Sequence, residues 1–494
     1  MPRITVILPN NLGDVIMTLP VLKSIRNTTP DAEIAFLVEA GYEAGLLGSP
    51  FCDRIIPIDR RDIKKQLCSG QWRDGVGALR LLIDAIRNDR DDIVINLSQH
   101  PYMSFVTSLI NAPDTRGRQF LREGNHALPD AWSQYLYTIP FARKYNSLHA
   151  TDVYCRIAGV PSGMAGPFIT PADREIDECK SFLAQQQFSL SRPVAVLQPG
   201  AAWPSKRWPA EAFVALGKML IADGYGILVT GAPAERKLAA SIADALGEPC
   251  RSTAGDLTFR ESIVLLTVAD SVVTGDTAIM HAASATGTKV VALFGPTNPV
   301  ETGPYGSDHA VVCGKCPQRP CFKTTCSDNR CMTSISPDFV YGCIRNQTVA
   351  SNECDRFTTW IDGGDYRLQP EASSGNAYVN TIGAVLTRRA FEPSFAVEPA
   401  DPQGPDQLES RTFIHYLEQM EQWLTAYRSG GDSKPLGSFE KARTDASAIG
   451  GIAAFWSALL NIRLNSVPLL DPVAGIKGSL AACRITREQI AAVL

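Results

Sequence analysis

The sequence predicts an α/β protein of two lobes, each a parallel sheet covered by helices, followed by a mainly helical C-terminal extension. Three observations lead there. Short β-branched runs alternate with stretches of helical period from the N-terminus onwards. The alternation halts and restarts after Arg192-Pro193. In the last part of the chain the apolar period becomes purely helical.

The elements follow in order. Ile4-Thr5-Val6-Ile7-Leu8 is an apolar run of the kind buried inside a parallel sheet. A Pro-Asn-Asn turn comes next, and Gly13-Asp14 opens an apolar-periodic helix expected to reach about Arg26. Strands are expected at 34–38, 54–58 and 92–97, with helices between them, one at 76–87. The second unit reads as strands at 194–197, 226–230, 271–273 and 289–294, with helices at 210–222, 233–246 and 277–285. A βαβ crossover of this kind folds each unit into a sheet with helices on both faces. Ligands of such sheets lie at the carboxyl ends of the strands, so two lobes should face one cleft. The expected domains are 1–188, 189–343, an irregular linker at 344–405 and a helical extension at 406–494, with a hinge near 188–193. The linker is expected because the composition from about Trp360 turns to Gly, Pro, Ser and acidic residues. In the extension Phe413, Leu417, Met420, Leu424 and Tyr427 share one face, either to dock on the chain's own core or as an oligomer seam.

Composition removes several classes of function. The chain has 494 residues, 45% hydrophobic and 20% charged, with 47 Lys plus Arg against 51 Asp plus Glu and a net charge of −4. That balance excludes a nucleic-acid binder held by bulk electrostatics, and the apolar content excludes a disordered chain. No run reaches the ~18–20 apolar residues that span a bilayer. The nearest, 449–462, is interrupted by Gly450, Gly451, Ser457 and Asn461 and followed by Arg463. The N-terminus lacks the long apolar core of a signal peptide, so a cytoplasmic location with reduced thiols is expected.

Three loops carry chemistry. In Leu12-Gly13-Asp14-Val15 the glycine permits a sharp turn from strand to helix. Asp14 then reads either as a helix N-cap or as a general base at the mouth of the cleft. Gln198-Pro199-Gly200-Ala201-Ala202-Trp203-Pro204-Ser205-Lys206-Arg207-Trp208-Pro209 follows a buried strand. Its adjacent cations between tryptophans suit a phosphate-bearing ligand or a merely solvated basic loop. Gly275-Asp276-Thr277-Ala278-Ile279-Met280-His281 follows another strand, and its helix start with a threonine hydroxyl is a ready phosphate site. His281 falls on the same helical face as Thr277, as a ligand-facing or a core histidine.

In this order the motifs resemble the ADP-heptose:lipopolysaccharide heptosyltransferases, family 9 of the glycosyltransferases. The matches are Leu-Gly-Asp-Val-Ile at 12–16 with Thr-Leu-Pro at 18–20, the Pro-Gly…Lys-Arg-Trp-Pro block, and Gly-Asp-Thr…His with Phe294-Gly295-Pro296-Thr297. The likeness spans 1 to about 343. It implies a GT-B fold of two Rossmann-like lobes, the first holding acceptor and the second donor. It implies inverting transfer of a heptose from ADP-heptose to a sugar hydroxyl of lipopolysaccharide core, with no cofactor required. By the same resemblance Asp14 is the base, Lys206 neutralises the departing diphosphate, and Thr277 with the adjacent backbone N–H groups cradles it. Gly13, Gly200, Asp276 and His281 stand with the donor-binding residues, and Glu235 matches an acid used near the adenosine ribose or is a first-turn helix acid. Ala201, Ala202 and Ala278 depart from the family pattern, which bears on the donor sugar more than on the reaction. The implied place of work is the cytoplasm, in passing contact with the inner membrane surface. An alternative of another class, a degenerate scaffold acting through its C-terminal helices, is disfavoured by the intact Asp14, Lys206, Asp276 and His281.

Seven of the 13 cysteines crowd together as Cys313-x2-Cys316-x4-Cys321-x4-Cys326-x4-Cys331-x11-Cys343-x10-Cys354. The CxxC pair and the number of thiols suit a structural zinc or iron, with Cys316, Cys321, Cys326 and Cys331 as ligands and Cys313, Cys343 and Cys354 as alternates. Free thiols and disulfides are the other readings. The cluster also resembles the autotransporter branch of the family, protein O-heptosyltransferases with a cysteine-bound iron, which supplies a second reading of the acceptor.

Overall fold

The computed structural model describes residues 2–69, 72–87, 93–120, 126–143, 146–348 and 351–370. The chain divides into two compact units, one of 1–116 with 149–372 and the other of 117–148 with 373–494.

The larger unit holds two sheets. The first contains β1 (Arg3–Ile7), β2 (Glu33–Glu39), β3 (Arg54–Ile58), β4 (Ile93–Asn96) and β5 (Asp114–Gly117) in the order β3-β2-β1-β4-β5. The β1–β2, β2–β3 and β1–β4 pairs are parallel. The order reverses between β1 and β4, and such a switch point opens a crevice at the strands' carboxyl ends. Ile7, Leu37, Val94 and Met103 fill the core on one face of this sheet. The helix expected from Gly13 is two helices, Leu12–Met17 and Leu19–Thr28. Thr18 breaks them by donating its hydroxyl to Val15 O at 2.6 Å, and Pro20 restarts the second, where a missing N–H costs nothing.

The smaller unit contributes a short hairpin of β6 (Gln119–Phe120) and β7 (His126–Ala127), then the helix Ala131–Ala142 capped by Asp130. The first lobe expected at 1–188 is thus interrupted by a segment that clusters elsewhere.

The second sheet contains β8 (Val194–Gln198), β9 (Gly226–Val229), β10 (Cys250–Ser252), β11 (Ser271–Gly275), β12 (Lys289–Phe294), β13 (Ala310–Gly314), β14 (Cys354–Asp362) and β15 (Asp365–Pro370). Its order is β10-β9-β8-β11-β12-β13-β14-β15, with a switch point between β8 and β11. Pairing is parallel through β13 and antiparallel for the last two strands. β14 and β15 replace the irregular linker expected at 344–405 over residues 354–370. Their polar, Gly-containing sequence is that of an edge hairpin, which needs little apolar alternation. The expected helical extension at 406–494, with its Phe413–Tyr427 seam, lies outside the described residues. Among the described residues no helix is long and apolar enough to cross a membrane.

Candidate active site

The phosphate-binding candidates of the second lobe meet at its switch point. Gln198 ends β8 and anchors both flanking loops: its amide donates to Gly200 O at 2.8 Å, and its carbonyl oxygen accepts from Thr274 at 2.8 Å and Thr277 at 3.3 Å. Thr277 is the N-cap of the helix Ala278–Thr286, but its hydroxyl bonds inward to Gln198 and Thr274. Met280 N–H closes the first turn on Thr277 O at 3.1 Å, which leaves the N–H groups of Ala278 and Ile279 at the helix start for a ligand.

Lys206 ends the short turn Pro204–Lys206 and reaches the next loop. Its ammonium lies 2.6 Å from Asp276 Oδ2, 3.3 Å from Asp276 O and 4.6 Å above the Trp203 ring. Burial alone would raise the Asp276 carboxyl; the charges of Lys206 and then His281 overcome it and hold it below the ordinary range. Burial, partly offset by Asp276, lowers His281 to about 4, so the ring is neutral at pH 7. Glu235 and Gly200 are also neighbours. The Glu235 carboxylate accepts from Ala232 N at 2.8 Å and occupies the space where a Gly200 β-carbon would be. The same side chain caps its own turn and packs against the Gly200 loop.

Asp14 stands in the first turn of Leu12–Met17, half-buried. It is not the N-cap, a position taken by Asn11. Gly13 beside it abuts His281: a β-carbon there would lie 2.9 Å from His281 Cδ2 and 3.8 Å from Ala278 Cα. The turn bearing Asp14 and the helix bearing His281 therefore touch across the two sheets.

On the other side of the Asn10-Asn11 turn a cleft of about 640 Å³ opens at the carboxyl ends of β1 to β4. Arg60, Arg61, Lys64, His100 and Tyr102 line it, opposed by Glu39, which pairs with Arg60. The sequence signal for this basic wall was the Arg60-Arg61-x-x-Lys64-Lys65 run directly after a strand, and the motif reading passed it by.

The cysteine-rich segment wraps the same loops. The Ser205 hydroxyl donates to Lys323 O at 2.5 Å and its backbone N–H to Thr324 O at 3.2 Å, so the Lys206 turn rests on residues between Cys321 and Cys326. Burial raises the Cys331 thiol to about 11, with the charges of Cys316, Cys321 and Cys326 adding to the rise. Among the described residues no three His, Cys, Asp or Glu side chains are set to hold a metal ion. Cys313, Cys343 and Cys354 are buried in the core, as is Cys331. No disulfide joins any of the described cysteines.

This is a two-lobed GT-B fold with cationic and helix-terminal groups at the switch point of its second lobe. The sequence pattern of glycosyltransferase family 9 (heptosyltransferase) matches residues 79–332, just over half of the chain. The chain belongs to glycosyltransferase family 9 and is a glycosyltransferase. It is 26% identical over 323 residues to lipopolysaccharide heptosyltransferase 2 of Salmonella typhimurium, covering 63% of this chain and 87% of the relative. It is 26% identical over 347 residues to lipopolysaccharide heptosyltransferase 1 of Pseudomonas aeruginosa, covering 66% and 87%. In fold it is similar to a family 9 glycosyl transferase from Veillonella parvula, with a TM-score of 0.57 and 22% identity over 70% of this chain and 96% of the other. The E. coli ADP-heptose lps heptosyltransferase II gives 0.52 and 20% over 70% and 98%.

Proposed function

We propose that the protein transfers a heptose from ADP-heptose to a sugar hydroxyl of lipopolysaccharide core, with inversion at the anomeric carbon. The observation that carries this reading is the approach of Gly13 to His281, which puts the Asp14 turn beside the Lys206–Asp276 pair. Asp14 takes the proton of the attacking hydroxyl as its oxygen forms the new glycosidic bond. The bond from the anomeric carbon to the diphosphate breaks, and ADP leaves with the electron pair. Lys206 and the N–H groups at the start of Ala278–Thr286 offset the charge that develops on it. Glu235, seated on Gly200, faces the adenosine ribose. Asp276 and His281 contact the heptose, and this scheme draws on no cofactor.

The basic cleft of Arg60, Arg61 and Lys64 suits an acceptor bearing phosphate or carboxylate groups, as a lipopolysaccharide core does. The lipopolysaccharide names of the relatives support that acceptor over a protein hydroxyl. The work is placed in the cytoplasm, at the inner face of the membrane where a lipid-linked acceptor is presented. A structural iron or zinc at Cys316, Cys321, Cys326 and Cys331 belongs to the same proposal, carried by the number and spacing of the thiols in this segment. Elemental analysis tests it: a stoichiometric metal supports the site, and metal-free protein that binds donor fully removes it.

The experiment for the whole reading is incubation with ADP-heptose and a heptose-deficient core acceptor, followed by mass spectrometry. A gain of one heptose on the acceptor, lost in Asp14→Ala, is the expected result. Heptose on a protein acceptor instead, with the core untouched, overturns the acceptor assignment.

A further inference from the structure

The Asp276 carboxylate is supported on both of its oxygens, with the Thr297 hydroxyl also close to it. Oδ2 lies on Lys206, and Oδ1 accepts from the Thr302 hydroxyl at 3.3 Å. Thr302 ends the short helix Pro299–Thr302, and the next residue, Gly303, is gripped from the other side of the cleft. His149 Nε2 lies 3.0 Å from Gly303 O, while its Nδ1 accepts from Thr151 N at 3.1 Å. The second bond leaves the ring proton on Nε2, so His149 donates to Gly303. A chain of contacts thus runs from the N-cap of Ala150–Ala158 to the carboxylate beside Lys206.

The β14–β15 hairpin closes over this chain. The Tyr366 ring lies 4.6 Å from that of His149, and its hydroxyl fills the space where a Gly303 β-carbon would stand. Tyr366 N donates to Asp152 Oδ2 at 2.8 Å, and Tyr305 donates to Asp152 Oδ1 at 2.7 Å. Asp365 pairs with Arg156 at 2.5 Å and with Arg367 at 3.1 Å. Asp152 and Asp365 are fully buried, so each charged or hydrogen-bonded contact has one geometry open to it. The hairpin lies beyond residues 79–332, the stretch that the family pattern matches.

We propose that Thr302 and His149 are positioning residues that hold Asp276 in register with Lys206, and that the β14–β15 hairpin locks them there. The proposal rests on reading Asp276 as a donor-binding residue. Without the Thr302 hydroxyl Oδ1 loses that hydrogen bond, and the carboxylate is held more loosely in register with the Lys206 ammonium. Neither residue touches the reacting atoms.

The test compares wild type, Thr302→Val, Thr302→Ser and His149→Ala by calorimetric titration with ADP-heptose and by steady-state kinetics. Thr302→Val keeps the side chain's shape and removes the donor. It should weaken donor binding and raise donor KM about five- to tenfold, with acceptor KM unchanged and the fold retained at a somewhat lower melting temperature. Thr302→Ser should restore donor KM, and His149→Ala should shift it in the same direction as Thr302→Val. A wild type that binds ADP-heptose while Thr302→Val and His149→Ala bind it equally well overturns the proposal alone. A wild type that ignores ADP-heptose overturns the donor reading and the proposal with it.

Discussion

Gly13 and His281 meet across the two sheets, with room between them for a hydrogen and not for a methyl group. An alanine at an open helical position raises stability by about 0.5–1 kcal/mol relative to glycine. Here the added carbon would lie 2.9 Å from His281 Cδ2, and the imidazole or the helix must shift. Gly13→Ala should therefore lose about 1–3 kcal/mol of stability, and kcat/KM should fall with it because the Asp14 turn is displaced. Kinetics run beside thermal melting check it, and a more stable, fully active variant would show the contact to be open.

Lys206→Ala should lose roughly 1.5–3 kcal/mol of donor affinity, the range for a charge-assisted contact. It also leaves the buried Asp276 carboxylate without its cation, so the folded protein should be less stable as well. Adding Asp276→Asn should recover stability and leave donor affinity low. Melting and titration of the single and double variants separate the two effects.

Gly200 and Glu235 should be coupled. Gly200→Ala displaces the Glu235 carboxylate, so donor affinity should fall about as far as in Glu235→Ala. In the Glu235→Ala background the space is vacant, and Gly200→Ala should then cost little more. A double-mutant cycle on donor affinity measures this; additive losses would contradict it.

The sequence showed where the strands lie because a buried parallel strand has to be continuously apolar, as in Val194–Gln198 and Lys289–Phe294. It also showed the Lys206 and Asp276 loops, since both follow such strands directly. Their pairing was not legible. It depends on β8 and β11 being neighbours, a long-range fact that no local pattern encodes. The β14–β15 hairpin was missed for a related reason. Its inward residues, Asp365 and Arg367, are charged and balance each other only in three dimensions.

Acid should destabilise the fold. Burial lowers His149 to about 3, His281 to about 4 and His309 to about 4. Each contributes stability that is present above about pH 6.5, the unfolded value, and is lost as pH falls towards the folded value. The slope is up to about 1.4 kcal/mol per pH unit for each histidine. Asp152 opposes them: burial, and then the charge of Asp365, raise its carboxyl, so its contribution is present in acid and lost as pH rises. Three histidines against one carboxyl leave a net fall in melting temperature from about pH 7 to about pH 5. Melting curves at constant ionic strength check the sign, and a rise towards acid would contradict it.

The central claim is that Asp14 does chemistry while the Lys206–Asp276 pair holds donor. The most direct measurement is calorimetric titration of ADP-heptose into wild type and Asp14→Ala, with heptose transfer to core acceptor assayed on the same samples. Donor affinity within about twofold of wild type and transfer reduced by ~10² or more in Asp14→Ala is the predicted result, the scale expected for loss of a general base. Transfer by Asp14→Ala at the wild-type rate, or loss of donor binding in that variant alone, would contradict it.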